Sequence, residues 1–171
     1  MTNIYETTAP LFRTMLVNLS AILDKAVAFA DERKIEESAL LNDRLAPDMF
    51  PLVRQVQIAC DNAKGALARL AGVEVPKHED TETTFRELKE RIAKTLAFLN
   101  TLEEARFAGA SGRRIELPYV KWKHLTGEDY VRSYAIPNFL FHVTIAYGIL
   151  RHNGVPVGKV DFLGTLPWID D

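Results

Sequence analysis

The stretch IPNFLFHVTIAYGILRHNG, Ile136 to Gly154, is apolar almost all the way round a helix and carries one ionisable side chain, His142, at its centre. A helix with no polar face has to be enclosed by other elements. The rest of the chain is therefore read for what can enclose it. Pro137 lacks an amide proton and disfavours helical geometry at Ile136, so a short helix over TGEDYVRSYA, a break, and a long helix from Pro137 to Asn153 are expected, with Gly154 as the stop.

Three other stretches repeat their apolar residues with the helical period. Pro10 to about Arg33 places Leu11, Met15, Leu19, Ile22 and Ala26 on one face, and Pro10 is a suitable first-turn residue. Pro47 to Ala71 aligns Met49, Leu52, Val56, Cys60, Ala63, Leu67 and Leu70, with Gly72 as cap and Pro76 beyond it. Thr84 to about Leu102 opens on TFRE, a capping box of Thr84 and Glu87, and lines up Phe85, Leu88, Ile92, Leu96 and Leu99.

Four such helices in 171 residues define one all-α domain spanning 1–171, large enough to bury a core without disulfides. RIELPYVKWKHL, Arg114 to Leu125, alternates in two halves around Pro118 and predicts a small β-hairpin between the third and fourth helices. The tail VPVGKVDFLGTLPWIDD reads as a loop whose Phe162, Leu163, Leu166 and Trp168 pack back on the bundle. The linker Val73 to Thr83 reaches roughly 36–40 Å when extended. That is enough to run back along a helix, so the second and third helices can lie parallel in a bundle with long crossovers.

Charge and cysteine content narrow the function. With 21 basic and 23 acidic side chains the net charge is -2, which offers no global field for nucleic acid. The single Cys60 excludes a disulfide framework and fits a reducing compartment, so a cytoplasmic location is expected. No leader pattern is legible at the amino terminus, and His142, Arg151 and His152 interrupt the best apolar run, so no membrane association is expected.

At 100° per residue Asn138, His142, Ile145, Ile149 and His152 share a sector of roughly 80°. Asn138 and His142 therefore stack one turn apart inside the bundle, and each needs a hydrogen-bond partner. On the second helix Asp48, Gln55 and Asn62, seven residues apart, run along the edge of the apolar face. Asp48, Gln55, Asn138 and His142 form the candidate pocket, between the second and fourth helices; the alternative is that the three helix-two residues simply mark the solvent boundary.

Other signals are weaker. Gly158 and Lys159 lack the rest of a phosphate loop, and the chain's serines show no nucleophile elbow. Arg113, Arg114, Lys121, Lys123 and His124, interleaved with Tyr119 and Trp122, form a basic patch on the hairpin, either an anion site or a solvated rim.

LAPDMFPLVRQVQIACDNAKGALARLAG (Leu45 to Gly72), FRELKERIAKTL (Phe85 to Leu96) and YAIPNFLFHVTIAYGILRHNGVPVGKVDFLG (Tyr134 to Gly164) resemble a bacterial family of unknown function within the DinB/YfiT-like superfamily. The PNFxFH and RHNGxxxGKxDFLG runs carry the resemblance. It implies a DinB-like four-helix bundle, up-down-down-up. Metal-binding members of that superfamily use one histidine near the start of helix two and a His-x-x-x-His pair on helix four. His142 matches the first of that pair, but its partner position is Ala146 and no histidine precedes His78. No metal and no cofactor are therefore expected. The expected function is that of a metal-free small-ligand-binding or interaction protein, with a homodimer expected from the apolar surface that the fourth helix, the hairpin and the tail residues Trp168 and Ile169 leave uncovered. The alternative is a DinB-like transferase acting on a low-molecular-weight thiol or another small group, with its pocket between the second and fourth helices and His142 as base.

Overall fold

The computed structural model describes residues 3–169. The first helix, α1 (Ile4–Arg33), begins a turn and a half earlier than Pro10. Its start is set by Asn3, whose side chain accepts from the amides of Tyr5 and Glu6. Pro10 thus sits inside α1 rather than at its first turn. It is tolerated because Pro10 and Glu6 are exposed, so water can reach the Glu6 carbonyl that loses its donor.

A short helix, α2 (Glu37–Leu41), which the periodicity does not reveal, leads into a turn. The next helix, α3 (Leu52–Ala71), starts five residues later than Pro47. Phe50 precedes Pro51 and is held out of helical geometry, so Pro51 becomes the cap. Gly72, at φ +69°, ends α3 in the left-handed region that glycine adopts without steric cost.

The linker runs back along α3 as a strap. Gln57 Nε2 donates to Glu82 Oε2 at 2.8 Å, and Arg54 pairs with Asp80 near the start of α3. It ends in the predicted capping box of α4 (Phe85–Asn100): the Glu87 amide donates to Thr84 Oγ1 at 3.2 Å and the Thr84 amide to Glu87 Oε2 at 3.1 Å.

The hairpin is smaller than its alternation suggests. Strands β1 (Arg114–Ile115) and β2 (Leu125–Thr126) pair Arg114 with Thr126 and Ile115 with Leu125, antiparallel, and the intervening residues form a loop. Pro118 cannot donate to a ladder, and Trp122 is almost fully exposed, so the alternation extends no strand beyond Ile115.

The opening stretch contains no break. Helix α5 (Gly127–Tyr130), a π turn over Val131–Ala135 and α6 (Ile136–His152) form one continuous helix. The Ile136 amide donates to the Val131 carbonyl, five residues back. The widened turn lies immediately before Pro137, whose ring and missing proton are disruptive in an ordinary helical turn. The 26 residues from Gly127 to His152 are consequently long and apolar enough, by length and composition, to cross a membrane, contrary to the reading of an interrupted run. Here one face of the helix packs against α3 and α1, while Pro137, Phe141, Thr144 and Arg151 are exposed, so the bundle does not enclose it as its apolar sequence suggests.

Side-chain contacts give the directions. Arg13 Nη2 donates to the Leu99 carbonyl and Lys89 pairs with Asp24, so α1 and α4 are antiparallel. Phe12 packs edge-on against Phe139 with ring centres 4.8 Å apart, while Phe29 approaches Gly154, so α1 and α6 run together. Gln55 meets His142 and Asn62 meets Asn138, so α3 and α6 oppose. The bundle is up-down-down-up, with α3 and α4 parallel.

In the tail, α7 (Lys159–Leu163) replaces the expected loop. The Gly158 amide donates to Asp161 Oδ2, and Asn18 Nδ2 donates to the Phe162 carbonyl. Phe162 packs on Tyr147, but Leu163, Leu166 and Trp168 are exposed rather than packed back.

Candidate functional site

Where α3 crosses α6, two polar rungs interrupt the core. In the first, His142 Nδ1 lies 2.7 Å from Gln55 Oε1, and Gln55 Nε2 donates to the Phe50 carbonyl at 2.9 Å. A carbonyl can only accept, so the nitrogen of the Gln55 amide must face Phe50 and its oxygen must face the imidazole. That oxygen in turn requires a proton on Nδ1. Burial, with the Arg54 charge adding to it, lowers the His142 pKa, so the ring is neutral at pH 7. Nε2 then carries a lone pair. It has no protein hydrogen-bond partner among the described residues, and it is not sealed from solvent.

One turn earlier, Asn138 Nδ2 donates to Asn62 Oδ1 at 2.8 Å and to the Tyr134 hydroxyl at 3.2 Å. The Tyr134 hydroxyl is hydrogen-bonded to that of Tyr119 on the hairpin loop, and its ring stacks on Tyr130 at 5.7 Å. The sequence points to Gln55, Asn62, Asn138 and His142, and the structure joins them in two pairs. Tyr134 escaped notice because an expected break at Pro137 separated it from Asn138; in the continuous helix the two are four apart and share a face.

Asp48 makes no hydrogen bond to Gln55, Asn62, Asn138 or His142. It lies in the turn before Pro51, exposed, off the helix that was expected to carry it. The 100° phase that placed it above Gln55 applies only within a helix, and Pro51 moves the helix start past it.

Residues 4–163 match the family described as Domain of unknown function (DUF1993). The chain belongs to that family. A crystal structure of a DinB family member protein from Shewanella denitrificans is 52% identical, covers 98% of this chain and 96% of its own, and superposes with a TM-score of 0.95. This DUF1993 chain therefore has the DinB-like bundle. No curated protein matches it.

The metal centre of the wider superfamily does not fit the residues this DUF1993 chain presents. Near the start of α3 the group facing His142 is the Gln55 amide, whose oxygen is already committed to the ring proton. One turn beyond His142 stands Ala146. Among the described residues no three histidine, cysteine, aspartate or glutamate side chains gather as a ligand set.

A second polar cluster pins the strap. Arg91 is buried, and donates to Glu82 Oε1 at 2.9 Å, to Asp61 Oδ1 at 2.8 Å and to the Glu79 carbonyl at 3.0 Å. It also pairs with Asp80 at 2.9 Å. Burial works against its charge, but the Glu82 hydrogen bond and the surrounding carboxylates outweigh burial and hold it protonated. Arg91 follows Leu88 by three residues, in phase with the apolar face, and that phase was the available signal. Cys60, fully buried, has its thiol pushed up to about 12 by burial, and behaves as a small hydrophobe.

Proposed function

We propose that this protein is a metal-free, cytosolic small-ligand-binding protein whose site is the edge of the α3–α6 seam at His142 and Gln55. The observation that carries the reading is the fixed tautomer, which holds a neutral imidazole with its Nε2 lone pair available to solvent. Exposed Phe141 lies beside it, edge-on to the imidazole at 5.2 Å. A ligand with one hydroxyl, thiol or amide donor and an apolar or aromatic body fits those two features.

A thermal-shift screen of small thiols, alcohols and amides tests the proposal. A ligand at a hundred times its Kd stabilises the fold by about 2.7 kcal/mol, and His142→Phe should abolish the shift. A shift that persists in His142→Phe, or none across the screen, would sink the reading. Purified untagged protein carrying close to one equivalent of zinc or nickel would remove its metal-free part.

The same lone pair supports a second reading, a transferase in which Nε2 takes the proton of a low-molecular-weight thiol while its sulfur bonds to the electrophilic atom of a partner substrate, whose leaving group departs with the electron pair of the bond that breaks. Turnover that disappears in His142→Phe while ligand binding survives would select it. Self-association through exposed Trp168 and Ile169 belongs to the proposal as well, and sedimentation showing only monomer at micromolar concentration would exclude it.

A further inference from the structure

Beneath the hairpin loop lies a cavity of ≈ 300 Å³ whose wall is almost entirely carbon, formed by Ile115, Leu117, Val120, Leu125 and the rings of Tyr119 and Tyr134. Its floor is firm. Ile115 is buried, and the Tyr134 ring is held by its stack on Tyr130 and by Asn138. The Tyr119 and Tyr134 hydroxyls satisfy each other, and burial together with that bond pushes the Tyr119 pKa up, so the phenol stays neutral. The interior suits hydrocarbon.

Lys123 and His124 complete the lining. Arg114 Nη1 stands 3.4 Å from His124 Nε2, and Arg114 is itself paired with Glu116 at 2.7 Å. Lys123 has no carboxylate partner among the described residues. An apolar slot lined in part by a lysine without a carboxylate partner selects a molecule with an apolar body and an anionic end. A volume at the lower limit of small-molecule sites, roughly 300–1,000 Å³, favours one short chain over a two-tailed lipid.

We propose that this slot binds a short-chain amphipathic carboxylate, with its head on Lys123 and His124 and its chain against Leu117, Val120 and Leu125. The site is separate from the His142 rung and does not rest on the function proposed above.

Calorimetry with octanoate tests it. Octanoate should bind the full-length protein at one equivalent, with octanol and octylammonium at least tenfold weaker. Leu117→Trp, which fills the slot, should abolish binding, and Lys123→Glu should weaken it at least tenfold. His142→Phe should leave it unchanged. Absence of saturable octanoate binding, or binding indifferent to both loop substitutions, would overturn the proposal. Sedimentation with phosphatidylglycerol vesicles provides the opposing outcome. Vesicle binding that survives Leu117→Trp, without saturable octanoate binding, would mean that the exposed Trp122 and its neighbouring lysines dock on an anionic membrane instead.

Discussion

Gln55 Oε1 lies 2.7 Å from His142 Nδ1 while Gln55 Nε2 donates to the Phe50 carbonyl, so a main-chain oxygen at the entry to α3 sets the tautomer of a histidine on α6. The relay costs the core two buried polar side chains and returns a ring whose orientation and protonation are both defined.

Removing either partner strands the other. Gln55→Leu and His142→Phe should each destabilise the protein by about 1–3 kcal/mol, and their combination by less than the sum, because the double substitution leaves no orphan of the pair. Chemical denaturation of the four proteins measures this coupling. Nitrogen chemical shifts of the ring should place the proton on Nδ1; a proton on Nε2 at neutral pH would contradict the assignment.

The same pair predicts a pH dependence. The folded pKa of His142 is depressed below 6.5, so the unfolded chain binds its proton first as pH falls. The stabilising contribution is complete above pH 6.5 and declines as pH drops from there towards the folded pKa. His142→Phe should flatten this part of the stability profile, and a slope unchanged by the substitution would rule His142 out as its source.

Arg91 holds the strap to the bundle, and Arg91→Met should release it. Partial exposure lets Asp61 and Asp80 rehydrate, so the expected loss is about 2–3 kcal/mol, below the roughly 3–5 kcal/mol of a fully enclosed pair. Limited proteolysis should then cut between Val73 and Thr83. For Glu82, burial raises the pKa, but the Arg91 hydrogen bond, its own backbone and Gln57 together outweigh it and hold the carboxyl below 4.5. Its contribution is therefore full above pH 4.5 and lost as pH falls through the folded value. Arg91→Met should abolish that acid-side loss.

Two glycines should respond oppositely to alanine. A Cβ on Gly127 would stand 1.8 Å from the Ala110 carbonyl oxygen, a main-chain atom that cannot swing aside, so Gly127→Ala should cost upwards of about 2 kcal/mol. At Gly65 the nearest atom, at 2.6 Å, is the tip of the Arg69 side chain. That tip can move, and Gly65→Ala in the interior of α3 should be neutral or stabilising by up to about 1 kcal/mol. Thermal unfolding of the two variants compares them directly.

Local chemistry made much of this molecule legible. The period of apolar residues identified all four long helices, since a helix must hide one face whatever its neighbours are. The capping box at Thr84 and the stop at Gly72 were readable because such signals act within a few residues. His142 and Asn138 stood out as polar groups in an apolar helix that had to find partners.

The tertiary structure decided what no local signal encodes. Proline marks a missing donor, but whether the chain ends, begins or widens there depends on its surroundings. Pro10 continues a helix beside water, Pro51 starts one, and Pro137 follows a π turn anchored by buried Val131 and Ala135. That His142 pairs with Gln55 follows only from where α3 starts and how it crosses α6. The cavity under the hairpin loop exists only because Tyr134 and Tyr119, fifteen residues apart, are brought together. Such contacts arise from how whole helices settle against one another, and that free energy is summed over many side chains distant in sequence.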